Sequence, residues 1–377
     1  MGNAVGGAGS PSRALTRPMR IGVVTTSYPR FSGDAAGNFV AGHVAALRTL
    51  GHDVEVIAAG DPRSDEPGLT HVASRLFFEG GAPDALERGG NVIEAARFTV
   101  RLAAAVARRA RRWDRAIAHW LAPSALAALA AIPRRTPLLA IAHGGDVHLL
   151  ARARLLRPML ALLRARHARL AFASAELRSL AAHHGDVGDA IVQAMGVDLA
   201  RFAALARGPS APSTTPPIVL VLARLVPVKG VDVAIAAMAK LRVPARLVIA
   251  GDGPDRARLV ELARGAPVEL VGAVDTFARD ELLRAASVVA VPSRVLPNGR
   301  SEGTPLVAIE ALAAGVPVVA SAVGGLRELA GIALVPPDDP SALAAAIEAT
   351  LATASPPDRL RAAVAHLDWP TVAARLT

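Results

Sequence analysis

From Arg20 onward the chain repeats one local pattern: a short apolar run, a turn carrying glycine or proline, then a segment with helical spacing. MRIGVVTTSYP, FVAGHVAALRTLG and HDVEVIAA open the series as strand, helix and strand, with Gly51 closing the helix. DRAIAHW, TPLLAIAHGG and ARLAFAS follow as further strands, after the helical stretch NVIEAARFTVRLAAAVARRARR. Most of these runs are apolar along their length, as in buried strands lying between helices. Strands covered on both faces, with helices between them, build a parallel doubly wound sheet.

The pattern stops at residues 207–217, RGPSAPSTTPP, and then begins again. PIVLVLAR, ARLVIAG, VELVGA, SVVAVPS and VPVVAS read as strands, separated by VDVAIAAMAKL, PDRARLVELARG, RDELLRAA and TPLVAIEALAAG as helices. A chain of 377 residues accommodates two such units. The expected organisation is a disordered leader over 1–18, a first Rossmann-like domain over 19–206, a linker over 207–217, a second Rossmann-like domain over 218–366, and a terminal segment 367–377. Sheets of this kind bind ligands at the carboxyl ends of their strands, so two facing units place a site in the cleft between them.

The richest stretch for chemistry is 292–315, PSRVLPNGRSEGTPLVAIEALAAG. Thr304 is a good N-cap and Pro305 suits the first helical position, which puts Glu302 in the loop and Glu310 inside the helix. The backbone N–H groups of Gly303, Thr304 and Leu306, on either side of Pro305, then point out of a helix N-terminus, where anions and sugar oxygens bind. Two carboxylates on one rim hold several hydroxyls at once, an arrangement suited to a nucleotide-sugar. In LARLVPVKG, Arg224 and Lys229 follow a strand and would clamp a diphosphate, stabilising the charge that grows as it leaves; a solvated loop with two surface cations is the alternative. In AHGGDVHLL, His143 ends a strand; it can bond a sugar hydroxyl or take a proton from an acceptor, with Asp146 either beside it or capping the next helix. His119 and Trp120 end the preceding strand and could line the same cleft, or Trp120 could be core. Gly33 and Gly37 in the loop after the first strand allow close approach to a phosphate or sugar, or simply a turn. Gly251-Asp252-Gly253 lacks the full dinucleotide fingerprint and is explained as well by a tight turn. Gly324–Gly325 read as structural.

Composition excludes several classes. There are no cysteines, hence no disulfide, thiol nucleophile or cysteine-bound zinc. No apolar run is long enough to span a membrane. The net charge is +10, with arginine clusters at 108–112 and along 152–169. The second cluster alternates with leucines, as in a helix lying on an anionic membrane or in an ordinary surface helix with a core face. Nucleic acid is not expected as a partner: aromatic residues make up only 3% and no stacking platform is visible. No Asp-x-Asp occurs, so Arg224, Lys229 and helix N-termini, and not a metal, are expected to supply positive charge. The expected location is the cytoplasm, with the inner face of the membrane open as a peripheral surface.

In their order and spacing, these stretches resemble the retaining GT-B glycosyltransferases of glycosyltransferase family 4. The resemblance covers nearly everything from Arg20 to about Thr371 and includes AHWLAPSALAAL, AHGGDV, AMGVDLARF, ARLVPVKGVD, IAGDGPDRARL and the Glu302-x7-Glu310 block. It implies an α/β fold of two Rossmann-like domains and transfer of a sugar, with retention, from a nucleoside-diphosphate-sugar to an acceptor hydroxyl, as in cell-surface polysaccharide, glycolipid or glycoconjugate synthesis. No cofactor is implied; the nucleotide-sugar is a substrate. Arg224 and Lys229 match the family's diphosphate clamp, Glu302 its donor-sugar glutamate, Glu310 its ribose glutamate, and His143 its histidine near the reacting centre. Gly303 to Leu306 would give backbone contacts to the donor, and Gly33 or Gly37 the glycine that touches phosphate from the first domain. His119, Trp120 and Asp146 are candidates for the acceptor side, and the terminal segment may, as in relatives, cross back onto the first domain. A GT-B epimerase or hydrolase, and a non-catalytic membrane-associated binder of nucleotide-sugars, are the alternatives.

Overall fold

A computed structural model describes residues 17–30, 34, 37–61, 67–78, 86, 91–205, 216–353 and 355–377. Most of the expected leader and linker, and Gly33, lie outside these described residues.

The first sheet has seven parallel strands: β1 Arg20–Val24, β2 Asp53–Ala59, β3 Leu69–Val72, β4 Arg115–His119, β5 Leu138–Ala142, β6 Arg169–Phe172 and β7 Ile191–Val192. Their order is β3-β2-β1-β4-β5-β6-β7. The second has six: β8 Ile218–Leu222, β9 Arg246–Ala250, β10 Val268–Gly272, β11 Val288–Val291, β12 Val318–Ser321 and β13 Ile332–Val335, in the order β10-β9-β8-β11-β12-β13. Both are doubly wound, and the order reverses between β1 and β4 in one and between β8 and β11 in the other. Central strands such as LLAIA of β5 and VVAV of β11 are buried along their whole length, because helices cover both faces. Their register sets Val23 of β1 between Val56 of β2 and Ile117 of β4.

The helices that build the cleft are α1 Asn38–Thr49, α2 Gly145–Arg152, α3 Ala175–His184, α4 Thr276–Ala285, α5 Leu306–Ala313 and α6 Trp369–Leu376. Gly51, at φ 91, closes α1 as expected of a glycine just past a helix end. Ser174 and Asp275 cap α3 and α4 through side-chain bonds from Leu177 N–H and Ala278 N–H. Helix α6 packs on α1 of the first domain although it follows the whole second sheet. Its Trp369 lies where a Cβ on Gly42 would be 2.4 Å from the indole nitrogen and one on Gly196 would be 2.5 Å from the ring. The ring also stacks on His43, with centroids 5.9 Å apart. Val197 N–H donates to Leu367 O, and Trp369 N–H donates to Val197 O.

Candidate active site

Every chemistry-bearing loop follows the carboxyl end of a strand, and most stand at the two reversal points. In the second domain, the turn after β8 runs from Arg224 to Gly230. Its backbone is fixed by Leu225 N–H bonding Asp252 O and Asp255 N–H bonding Leu225 O. Gly251 and Gly253 are needed for that approach: a Cβ on either would be 1.8 Å from Ala223 O or 2.4 Å from Leu225 O. The glycine pair after β9 therefore shapes the cation loop. Gly230 adopts φ 59, and a Cβ there would be 1.9 Å from Pro292 O, so this turn lies flat against the loop after β11.

That packing brings Lys229 to Glu302. The ammonium is 2.9 Å from one carboxylate oxygen and 3.0 Å from the other, both side chains being largely buried. Arg224 is exposed on the same turn. The loop carrying Glu302 is held from below by Gly324 and Gly325: Gly325 N–H donates to Gly303 O at 2.6 Å, and a Cβ on Gly324 would lie 2.1 Å from Glu302 O.

Helix α5 begins at Leu306, with Pro305 as its N-cap and no side-chain capping bond. The expectation that Thr304 caps the helix is therefore corrected. Its hydroxyl instead donates across the cleft to Ala173 O at 2.8 Å, where the first domain offers a strand-end carbonyl. Two more bonds join the domains nearby: Ser301 Oγ to Glu176 at 3.0 Å, and Ala175 N–H to Glu328 at 2.7 Å. At their centre Gly303 faces His143 so closely that a Cβ would be 2.5 Å from His143 O.

Glu310 sits deeper, in α5. Burial raises its pKa, opposed by Arg279, whose guanidinium lies 3.3 Å from the carboxylate, and by Arg201. Arg201 in turn bonds both oxygens of Asp280 at 2.6 and 2.8 Å. A cavity of about 510 Å³ opens here, lined by Phe39, Gly42, Arg201, Arg279, Glu310 and Trp369. It reaches Glu310 and Leu306 but not Lys229 or Glu302, and so forms the side of the cleft nearest α6.

In the first domain, Asp146 is 4% exposed. Its carboxylate accepts from the N–H groups of His143, Gly144 and Leu121 at 3.1, 3.0 and 2.8 Å. Burial raises its pKa while these bonds oppose the rise. Asp146 thus ties the loop after β5 to the end of β4 and presents nothing to an acceptor. His119 is fully buried, and both its ring nitrogens face other histidines. The expectation that either side chain contacts an acceptor is corrected on these grounds. Trp120, held at φ 73, and Phe39 pack on the His143 ring with centroids 5.0 and 4.8 Å from it. Gly37 begins α1 at φ 70, and a Cβ there would be 2.6 Å from the Ser27–Tyr28 backbone. Sequence reasoning missed Arg279, Phe39 and His43. Of these only His43, a lone imidazole inside the apolar FVAGHVAAL, carried a signal.

The model of the family described as glycosyl transferases group 1 matches residues 204–366. The glycogen synthase of Mycobacterium tuberculosis is 31% identical over 94% of this chain and 92% of its own length. The chain belongs to the group 1 glycosyltransferases. The phosphatidyl-myo-inositol mannosyltransferase of M. tuberculosis is 29% identical over 95% of each chain. Among solved structures, Anabaena HepE in complex with UDP-glucose superimposes with a TM-score of 0.69 at 20% identity, covering 95% of this chain and 98% of that one. The glycosyltransferase has the GT-B fold: two Rossmann-like parallel sheets facing across a cleft.

Proposed function

We propose that this group 1 glycosyltransferase is a retaining, family 4-type enzyme that moves a sugar from a nucleoside-diphosphate donor to an acceptor hydroxyl. The Lys229–Glu302 pair carries this reading. It joins a cation and a carboxylate at the mouth of α5, where Gly303 meets His143 of the other domain. A diphosphate placed there meets Lys229, Arg224 and the first N–H groups of α5; its sugar falls between Glu302 and His143, and its ribose against Glu310.

In the step we propose, the bond from the anomeric carbon to the diphosphate oxygen breaks, and the acceptor oxygen bonds that carbon on the same face. The acceptor proton passes to the departing phosphate oxygen. No protein nucleophile takes part. Leaving-group stabilisation and positioning supply the rate, and Arg224 and Lys229 do the electrostatic work without a metal. UDP-glucose bound to the HepE fold and the lipid named for the mannosyltransferase relative support, respectively, a nucleotide-sugar donor and a lipid-borne acceptor. Leu155 and Leu162, exposed beside Arg152, Arg154 and Arg157, support contact with an anionic lipid surface. Among the described residues no helix is long and apolar enough to cross a membrane.

Thermal-shift measurement against UDP-, GDP-, ADP- and TDP-glucose, followed by product analysis with acceptor-bearing lipid, tests the proposal. One donor should stabilise the fold by mass action, and the product should keep the donor's anomeric configuration. An inverted product, no stabilisation of wild type by any donor, or the same stabilisation in Lys229→Ala as in wild type, would refute it.

A further inference from the structure

Three histidines from three elements lie nitrogen to nitrogen inside the first domain. His43 Nδ1 of α1 is 3.1 Å from His119 Nε2 at the end of β4, and His119 Nδ1 is 3.0 Å from His143 Nε2 after β5. His43 and His119 are fully buried, while His143 is the member with exposed surface. Burial lowers all three pKa values, to about 4 for His43 and about 3 for His143, so all are neutral at neutral pH.

A neutral imidazole has one N–H and one lone pair, so each contact needs a donor on one side and an acceptor on the other. Only two arrangements satisfy both contacts. In one, His119 carries its proton on Nε2 and donates to His43, which leaves the His43 proton on its own Nε2. Among the described residues that nitrogen is buried without a partner. In the other, all three rings are protonated on Nδ1, His43 donates to His119, and His119 donates to His143. The nitrogen then left over at His43 is a bare lone pair. Orphaned buried N–H groups are rarer in proteins than under-used acceptors, which selects the second arrangement.

We infer that His119 and His43 are positioning residues that hold His143 in its Nδ1–H tautomer, so that it offers the cleft a hydrogen-bond donor and no free lone pair. The inference rests on the reading that His143 faces the donor sugar, and it deepens that reading. His143 then binds a ligand oxygen, a sugar hydroxyl or a phosphate, and does not act as the base that takes the acceptor proton. The nitrogen left for the ligand is Nδ1, since Nε2 is filled by His119.

The test uses the full chain labelled with ¹⁵N-histidine, without substrate. Long-range ¹H–¹⁵N correlations distinguish the two tautomers, and the His143→Asn variant identifies the His143 signals among the ten histidines. A protonated Nδ1 with a bare Nε2 is expected at pH 7.5; a protonated Nε2 would overturn the inference. Turnover is then read as nucleoside diphosphate released from whichever of the four donors above gives the largest thermal shift. His43→Leu, two rings away from any ligand, should lower kcat about 10-fold to 100-fold while KM stays within about twofold, on the scale of losing an outer-shell partner. His43→Asn, whose amide N–H can replace the Nδ1 donor, should remain within about threefold of wild type, a smaller loss than such a partner's removal. Equal impairment of the two variants would indicate packing and overturn the positioning role. Full turnover by His143→Ala, which removes the donor altogether, with the expected wild-type spectrum would instead sink the donor-site reading, so the two failures are distinguishable.

Discussion

Lowering the pH from 7 to 5 should weaken the first domain through its buried histidines, and the size of the effect can be worked out for His43. Its folded pKa is about 4 against 6.5 for the ordinary side chain. Because the folded value is depressed, the unfolded chain binds a proton first as pH falls, so stability is present above about 6.5 and is lost towards 4. At pH 7 the unfolded state gains only about 0.2 kcal/mol from this proton; at pH 5 it gains about 2 kcal/mol, a net loss of roughly 1.8 kcal/mol. His143 and His119 add losses of the same sign, while the raised carboxylates Asp146 and Glu310 work in the opposite direction. Comparing wild type with His43→Leu isolates one group. All three tryptophans, Trp113, Trp120 and Trp369, belong to or pack on the first domain, so urea unfolding followed by tryptophan fluorescence reports on that unit. Between pH 7 and 5 wild type should lose about 2 kcal/mol more than His43→Leu. Identical losses in the two proteins would refute the assignment of a buried neutral imidazole at this position.

Lys229→Ala and Arg224→Ala should each lower kcat by about 10²–10³, or roughly 2.7–4 kcal/mol, the scale of losing one transition-state donor, and steady-state rates with the preferred donor check this. Gly303→Ala would put a Cβ against the His143 carbonyl, which is backbone and cannot swing aside. The domains must part slightly, at an overpacking cost of about 1–3 kcal/mol; donor KM should rise in steady-state assays and the free protein should melt a few degrees lower. Incubation with EDTA followed by assay in metal-free buffer should leave turnover unchanged.

The central strands were legible in the sequence because parallel strands buried on both faces read as unbroken apolar runs. The strands β3, β7 and β13 were not. They lie at sheet edges and are half-exposed, and their apolar runs are broken or short: LTHV in β3, two residues in β7 and only IALV in β13. Among the candidate site residues, Glu302, Lys229 and His143 could be singled out because each stands in a loop after a strand, and backbone geometry of that kind is encoded locally by glycine and proline. Arg279 was hidden among many similar arginines, since its pairing with Glu310 depends on how α4 docks beside α5. Thr304 had the right chemistry for a cap, but a carbonyl on the other domain claimed its hydroxyl. The dual use of His119 was equally out of reach, because only the register of β4 with β5 and α1 brings the three imidazoles together.

The placement of α6 bears on how the chain is made. Residues 369–376 complete the outer layer of the first domain, yet the ribosome delivers them only after the entire second domain. Until then α1 keeps the Gly42 notch and the His43 ring uncovered. Domains generally fold in order of synthesis. Here the first domain finishes last, so a fusion or truncation at residue 368 would damage the sheet made earliest and not the one made most recently.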